Sequence, residues 1–335
     1  MLFSAKFLKV AMISDSNLIS ERTYPMSTTP HPSSLPAVLS PVITPFTADG
    51  SPDVARLGRQ CRWLLDNGVG LAVFGTNSEA NSLSARQKRS ALEALVKAGL
   101  PADQMMPGTG ACSVDDALEM TRAAVELGAG GVLMLPPFYY KDVSDDGLFA
   151  YYSEIIQKIG DSRLQVYIYN IPQVTKIPLS VDLLERLVKA YPKTVVGMKD
   201  SSGDWAYTES CINRLKSTGF RAYAGSETFL LKTLRAGGVG CISATANVNP
   251  AAISSLAASW QSTDADQHQA ALDTVRGIFQ KFPMIAAMKH AVSVTLSDAT
   301  WQTVRPPLVP LSALQQAELM QALDAIGFEM KGLAS

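Results

Sequence analysis

From Ala37 to Ser243, short apolar runs alternate with longer stretches in which apolar residues recur every three or four positions. Eight of the runs read as buried strands: Val38–Thr44, Leu71–Phe74, Met105–Gly108, Gly131–Leu135, Gln165–Tyr169, Thr194–Lys199, Arg221–Ala224 and Gly240–Ser243. The stretches between them carry a helical stripe. Leu57, Cys61, Leu64 and Leu65 fall at i, i+4, i+7 and i+8; Leu92, Leu95 and Val96 follow suit, as do Leu118, Thr121 and Val125. Ser84 with Gln87 forms a capping box, and Ser113, Ser144 and Ser180 stand at helix starts. Gly68, Gly99, Gly128, Gly160, Gly219 and Gly237 stand at helix ends. Strand and helix in strict alternation over residues 36–250 predict a (β/α)8 TIM barrel. An open doubly wound sheet fits less well, because no Gly-x-Gly-x-x-Gly turn links the first strand to the first helix.

Beyond Pro250 the strand pattern stops. Segments 265–281, 284–296 and 312–327 read as helices, with Pro283, Pro306, Pro307 and Pro310 as breaks, so 251–335 is expected to be a C-terminal helical region. Residues 1–35, rich in Ser, Thr and Pro and with Met26 as an alternative start, read as a poorly ordered N-terminal extension.

Charge narrows the range of functions. A net charge of −1 offers none of the basic excess that a nucleic-acid binder needs. No apolar stretch reaches the length of a membrane span, and the short patch Val10–Ile13 lacks the cleavage site of a signal peptide. Cys61, Cys112, Cys211 and Cys241 are widely spaced and fit free thiols in a reducing compartment, so a cytoplasmic location is expected. Neither His268 nor His290, in the C-terminal helices, nor His31, near the N-terminus, falls at a strand end. Metal chemistry is therefore not expected, and no cofactor-binding motif is present.

In a parallel barrel the strand ends carry the chemistry. Two of them stand out: Val166-Tyr167-Ile168-Tyr169-Asn170 and Val195-Val196-Gly197-Met198-Lys199, with Tyr169 and Lys199 thirty residues apart, one loop and one helix. An amine beside a phenol is what Schiff-base chemistry requires, a nucleophile and a partner that moves protons. A strand-end lysine is also a common solvated cap, so this pair alone leaves both readings open. The turn Gly75-Thr76-Asn77-Ser78-Glu79 offers N–H groups and hydroxyls to a carboxylate, with Thr76 placed to relay a proton to a neighbouring tyrosine.

The chain resembles the dihydrodipicolinate synthase / N-acetylneuraminate lyase family of class I aldolases over roughly residues 36–325. The resemblance rests on Gly75-Thr76-x-x-Glu79, Pro137-Phe138-Tyr139-Tyr140, Tyr169-Asn170-Ile171-Pro172 and Gly197-Met198-Lys199-Asp200-Ser201-Ser202-Gly203. Gly237-Gly238-x-Gly240-x-Ile242-Ser243 and Arg305-Pro306-Pro307-Leu308 extend it. It implies Lys199 as the Schiff-base lysine for pyruvate or another 2-oxo acid, Tyr169 as general acid/base and Thr76 as its relay. The backbone around Thr76 and Asn77, with Ile242, would hold the 2-oxo acid. Tyr139, or the adjacent Tyr140, would be lent across a dimer interface, which implies a homodimer or homotetramer. Asn77 and Ser78 replace the family's usual threonine and glycine. The position where dihydrodipicolinate synthases carry a carboxylate-gripping arginine is Val174, with Lys176 nearby. The expectation is therefore a metal-independent lyase acting on a 2-oxo or 2-keto-3-deoxy acid. 4-Hydroxy-tetrahydrodipicolinate synthase and a non-catalytic acid-binding barrel are the alternatives.

Overall fold

A computed structural model of the chain describes residues 35–334. Seven strands form one parallel sheet: β1 (Val38–Ser40), β2 (Gly70–Leu71), β3 (Val132–Met134), β4 (Val166–Asn170), β5 (Val195–Asp200), β6 (Arg221–Ala224) and β7 (Gly240–Ile242). Their order, β2-β1-β7-β6-β5-β4-β3, leaves a gap between β2 and β3. The expected strand at Met105–Gly108 fills that gap without forming a regular ladder. It makes parallel bridges from Met105 to Leu71 and from Gly108 to Leu133. The Met106 N–H donates to Leu71 O and the Gly108 N–H to Val73 O, both at 2.8 Å, while Pro107 O accepts from Leu133 N–H at 2.9 Å. Pro107 has no N–H to return, so pairing is broken there although the ring closes. Pro41 likewise follows the last residue of β1, which is shorter than the apolar run suggests.

Helices α1 (Val54–Asp66), α2 (Ala85–Lys97), α3 (Val114–Glu126), α4 (Asp145–Ile159), the single turn α5 (Pro172–Thr175), α6 (Val181–Ala190), α7 (Trp205–Leu215) and α8 (Leu230–Ala236) alternate with the strands. Their starts are capped as the pattern indicates: the hydroxyls of Ser84, Ser113, Ser144 and Ser180 accept from N–H groups three residues on, at 3.0–3.2 Å. This architecture is a TIM barrel followed by helices. After β7 come α9 (Pro250–Ala258), α10 (Ala265–Phe279), α11 (Met284–Leu296) and α12 (Ala313–Asp324). The expected N-terminal extension and His31 lie outside the described residues, apart from Leu35, which is buried.

Two apolar clusters hold the fold. The larger lies between sheet and helices; the smaller fills the barrel with Leu39, Ala72, Met106, Leu133, Tyr167, Tyr169, Tyr223 and Ile242. Period-two alternation sends Tyr167 and Tyr169 to the same, inner face. Gly197 makes room for Tyr167, since a Cβ there would sit 2.6 Å from its ring and 2.3 Å from Arg221 O. No helix among the described residues is long and apolar enough to cross a membrane.

Candidate active site

The register of the sheet sets Tyr169 on β4 directly beside Lys199 on β5, and Lys199 beside Tyr223 on β6. Neighbouring residues of a parallel pair project from the same face, so phenol and amine point together into the barrel mouth. Both residues are 2% exposed. The Lys199 Nζ lies 4.4 Å from the centroid of the Tyr169 ring. The Tyr169 hydroxyl is 3.4 Å from Thr76 Oγ1, either oxygen being able to donate.

These neighbours decide the acidity of the phenol. Burial alone pushes Tyr169 up. The Lys199 ammonium, with hydrogen bonds from Thr76, Ser201 and Lys199, outweighs that and holds the phenol below its usual value. A tyrosine made more acidic than usual, in contact with a lysine and a threonine hydroxyl, is equipped to pass protons to and from a carbon next to the amine. Burial pushes the Cys61 and Cys211 thiols up to about 12, away from the reactive thiolate form.

The other expected site residues are distributed unevenly. Ile242 is fully buried at the end of β7 in the barrel interior, and Asn77 is half-buried in the turn with Thr76. Tyr139 and Tyr140 are not brought to the amine; each is 74% exposed, and their rings meet edge to face at 5.3 Å. Val174 is exposed at 56% on α5, and Lys176, just past it, is exposed as well. The cation that reaches this loop is Lys141, whose ammonium donates to Thr175 O at 3.1 Å and to Phe138 O. His268 pairs with Asp264 on the surface and His290 is buried in α11.

Several buried polar groups around the site went unassigned in the sequence. Asn170 and Asp200, one residue beyond the phenol and the amine, point to the opposite face and join at 2.8 Å. Asp200 also accepts from Ser202 N–H at 3.0 Å, Ser202 Oγ at 2.8 Å and Thr208 Oγ1 on α7. This cluster locks the two strand ends together and thereby fixes the spacing of Tyr169 and Lys199. After the neighbouring strand β6, buried Glu227 accepts from Ser243, Thr245 and, at 3.2 Å, Arg276 of α10. Asp200 and Ser201 sat in the Gly197–Gly203 motif and could have been found there. Arg276 stood in a helix with no motif of its own.

A parallel closed barrel with a buried lysine and tyrosine side by side at its strand ends defines the class of protein: a TIM-barrel lyase of the aldolase type. Residues 34–326 match the Dihydrodipicolinate synthetase family, and the chain belongs to that family. It is 32% identical to an uncharacterised DapA-like lyase of Chloroflexus aurantiacus, over 86% of this chain and 96% of the relative. Among solved structures it is similar to the dihydrodipicolinate synthase of Agrobacterium tumefaciens str. C58, at TM-score 0.79 and 34% identity, over 87% of this chain and 99% of the other. It also resembles a prophage protein of the dihydrodipicolinic acid synthase family from E. coli K12, crystallised in complex with pyruvate. There the TM-score is 0.80 and the identity 27%, over 88% of this chain and 99% of that one.

Proposed function

We propose that the protein is a Schiff-base-forming lyase in which Lys199 condenses with pyruvate or another 2-oxo acid. The observation that carries this reading is the register pairing of Lys199 with Tyr169, whose hydroxyl faces that of Thr76. The neutral amine attacks the ketone carbon, water leaves, and the cationic imine nitrogen becomes an electron sink. Tyr169 then carries protons between the substrate and Thr76 as a C–C bond is made or broken, or as a 2-keto-3-deoxy acid is dehydrated. The turn around Thr76 and Asn77, with Ile242 at the end of β7, forms the seat for the 2-oxo acid end. Likeness to a protein crystallised with pyruvate supports this choice of substrate.

Val174 disfavours 4-hydroxy-tetrahydrodipicolinate synthesis, because an exposed valine cannot form the paired charge-assisted bonds that an arginine gives a second carboxylate. Likeness to synthases keeps that activity as the alternative. The exposed Tyr139–Tyr140 pair favours work as a homodimer or homotetramer, and the free thiols fit the cytoplasm. The direct test is to incubate the protein with pyruvate, reduce with borohydride and map the adduct by peptide mass spectrometry. The adduct is expected on Lys199 and absent from Lys199→Ala. An adduct on another lysine, or none in folded protein with pyruvate or with other 2-oxo acids, would refute the assignment.

A further inference from the structure

Glu79 ends the turn that carries Thr76, and its backbone stands in the left-handed region at φ 58°. A residue with a side chain is held there only when its surroundings impose it. Here they do. The Glu79 and Lys289 side chains are both fully shielded from solvent and form an ion pair between the turn and α11. Lys289 Nζ donates to Glu79 Oε1 and, at 2.7 Å, to Thr303 O, and it lies 4.3 Å from the centroid of the Phe46 ring. The second carboxylate oxygen accepts from Arg305 N–H at 2.7 Å. The Arg305 guanidinium turns back to Ser82 O at 2.6 Å and Gln87 Oε1 at 3.1 Å. On the other side, Thr44 Oγ1 donates to Ser78 O at 2.7 Å.

A buried ion pair is a poor stabiliser, because desolvation offsets most of its attraction. What it supplies here is geometry: donors from two separate segments, Lys289 on α11 and the Arg305 backbone, converge on one carboxylate three residues from Thr76, and Thr44 holds the adjacent Ser78 carbonyl. The contact at stake is marginal, since 3.4 Å between Thr76 and Tyr169 sits at the long end of hydrogen bonding. A small displacement of the turn would break it. We propose that the Glu79–Lys289 pair is a positioning device, through which the C-terminal helices hold Thr76 within proton-transfer reach of Tyr169. Lys289 touches no reacting atom and acts through the turn. The inference rests on the imine reading above and adds to it a residue from the region that the sequence presents as an appendix.

The step it controls can be isolated with pyruvate alone. In the imine, a C3–H bond breaks, its proton goes to the Tyr169 oxygen, and its electron pair forms the C2=C3 bond as the imine π electrons move to nitrogen. Return of the proton from D2O places deuterium at C3, followed as loss of the pyruvate methyl signal by NMR. Lys289→Met is expected to slow this exchange about 100-fold, the order seen when a catalytic group is misplaced by an ångström. Borohydride trapping at Lys199, which is held by β5 and not by the turn, is expected to persist, and Lys289→Arg to recover most of the exchange. Because Lys289→Met strands a buried carboxylate and can fail to fold, the neutral pair Glu79→Gln with Lys289→Met is the second variant. It is expected to unfold near the wild-type urea midpoint and still exchange slowly. Wild-type exchange in either folded variant, or exchange and trapping falling in proportion, would overturn the positioning role. No adduct in the wild-type protein, with pyruvate or with other 2-oxo acids, would overturn the imine reading and this inference together. An adduct with unchanged exchange in the variants would overturn this inference alone.

Discussion

Tyr169 illustrates how opposed forces at one residue set its chemistry. Its burial favours the neutral phenol, and the Lys199 ammonium with three hydrogen bonds favours the phenolate; the second group wins. The folded phenol therefore loses its proton at lower pH than the unfolded one. Between the folded value and the ordinary value of about 10 the unfolded chain binds more protons, so this group's contribution to stability rises with pH across that window. Lys199→Met removes the largest opposing charge and leaves burial in command. The tyrosinate absorbance step assigned to Tyr169 by comparison with Tyr169→Phe should then move to higher pH. A step that stays in place would mean that Lys199 does not set the acidity of the phenol.

At the scale of elements, the site depends on strands that can pack bulky side chains inside the barrel. Tyr167 and Tyr223 fill the interior, their rings 5.9 Å apart. Gly197, two residues before Lys199, yields the space that Tyr167 takes. Gly197→Val places side-chain atoms against that ring and against the backbone of β6. Overpacking of this kind costs about 1–3 kcal/mol or more. A lowered urea midpoint is expected, together with weaker imine trapping, because displacing β5 moves Lys199. An unchanged midpoint would show that the barrel interior is less tightly filled than the geometry states.

At the scale of the molecule, the C-terminal helices grip the barrel mouth on two sides, through Lys289 on Glu79 and through Arg276 on Glu227. They brace the strand-end face that carries Lys199 and Tyr169 instead of merely following the barrel. The rim offers a second large-scale feature in Tyr139 and Tyr140, whose exposed rings lie away from the amine. If these rings enter a neighbouring subunit, Tyr139→Ala with Tyr140→Ala should shift sedimentation velocity profiles toward smaller species. The same sedimentation coefficient as wild type would assign the pair to another role.

The barrel was legible in the chain because each strand and helix buries a face whose periodicity survives in one dimension, and because caps such as Ser84 and Ser180 act over three residues. Lys199 and Tyr169 were legible for the same reason: both end apolar runs, and a single loop-helix unit separates them. The segment Met105–Gly108 was read as a strand, but its interruption was not, since Pro107 lies within an apolar run and only the pairing around it shows which N–H is missing. Glu79 could be seen as part of a motif, but not its partner, 210 residues away on α11. Long-range partners of buried charges leave no periodic trace, because any surface lysine and a fully enclosed one look alike until the chain closes around them. The sequence by itself determined the order of elements and the strand ends at which the amine and phenol stand. Only the tertiary structure decided the distance between phenol and threonine, the acidity of that phenol and the distant residues that hold them, because these depend on packing between segments far apart in the chain.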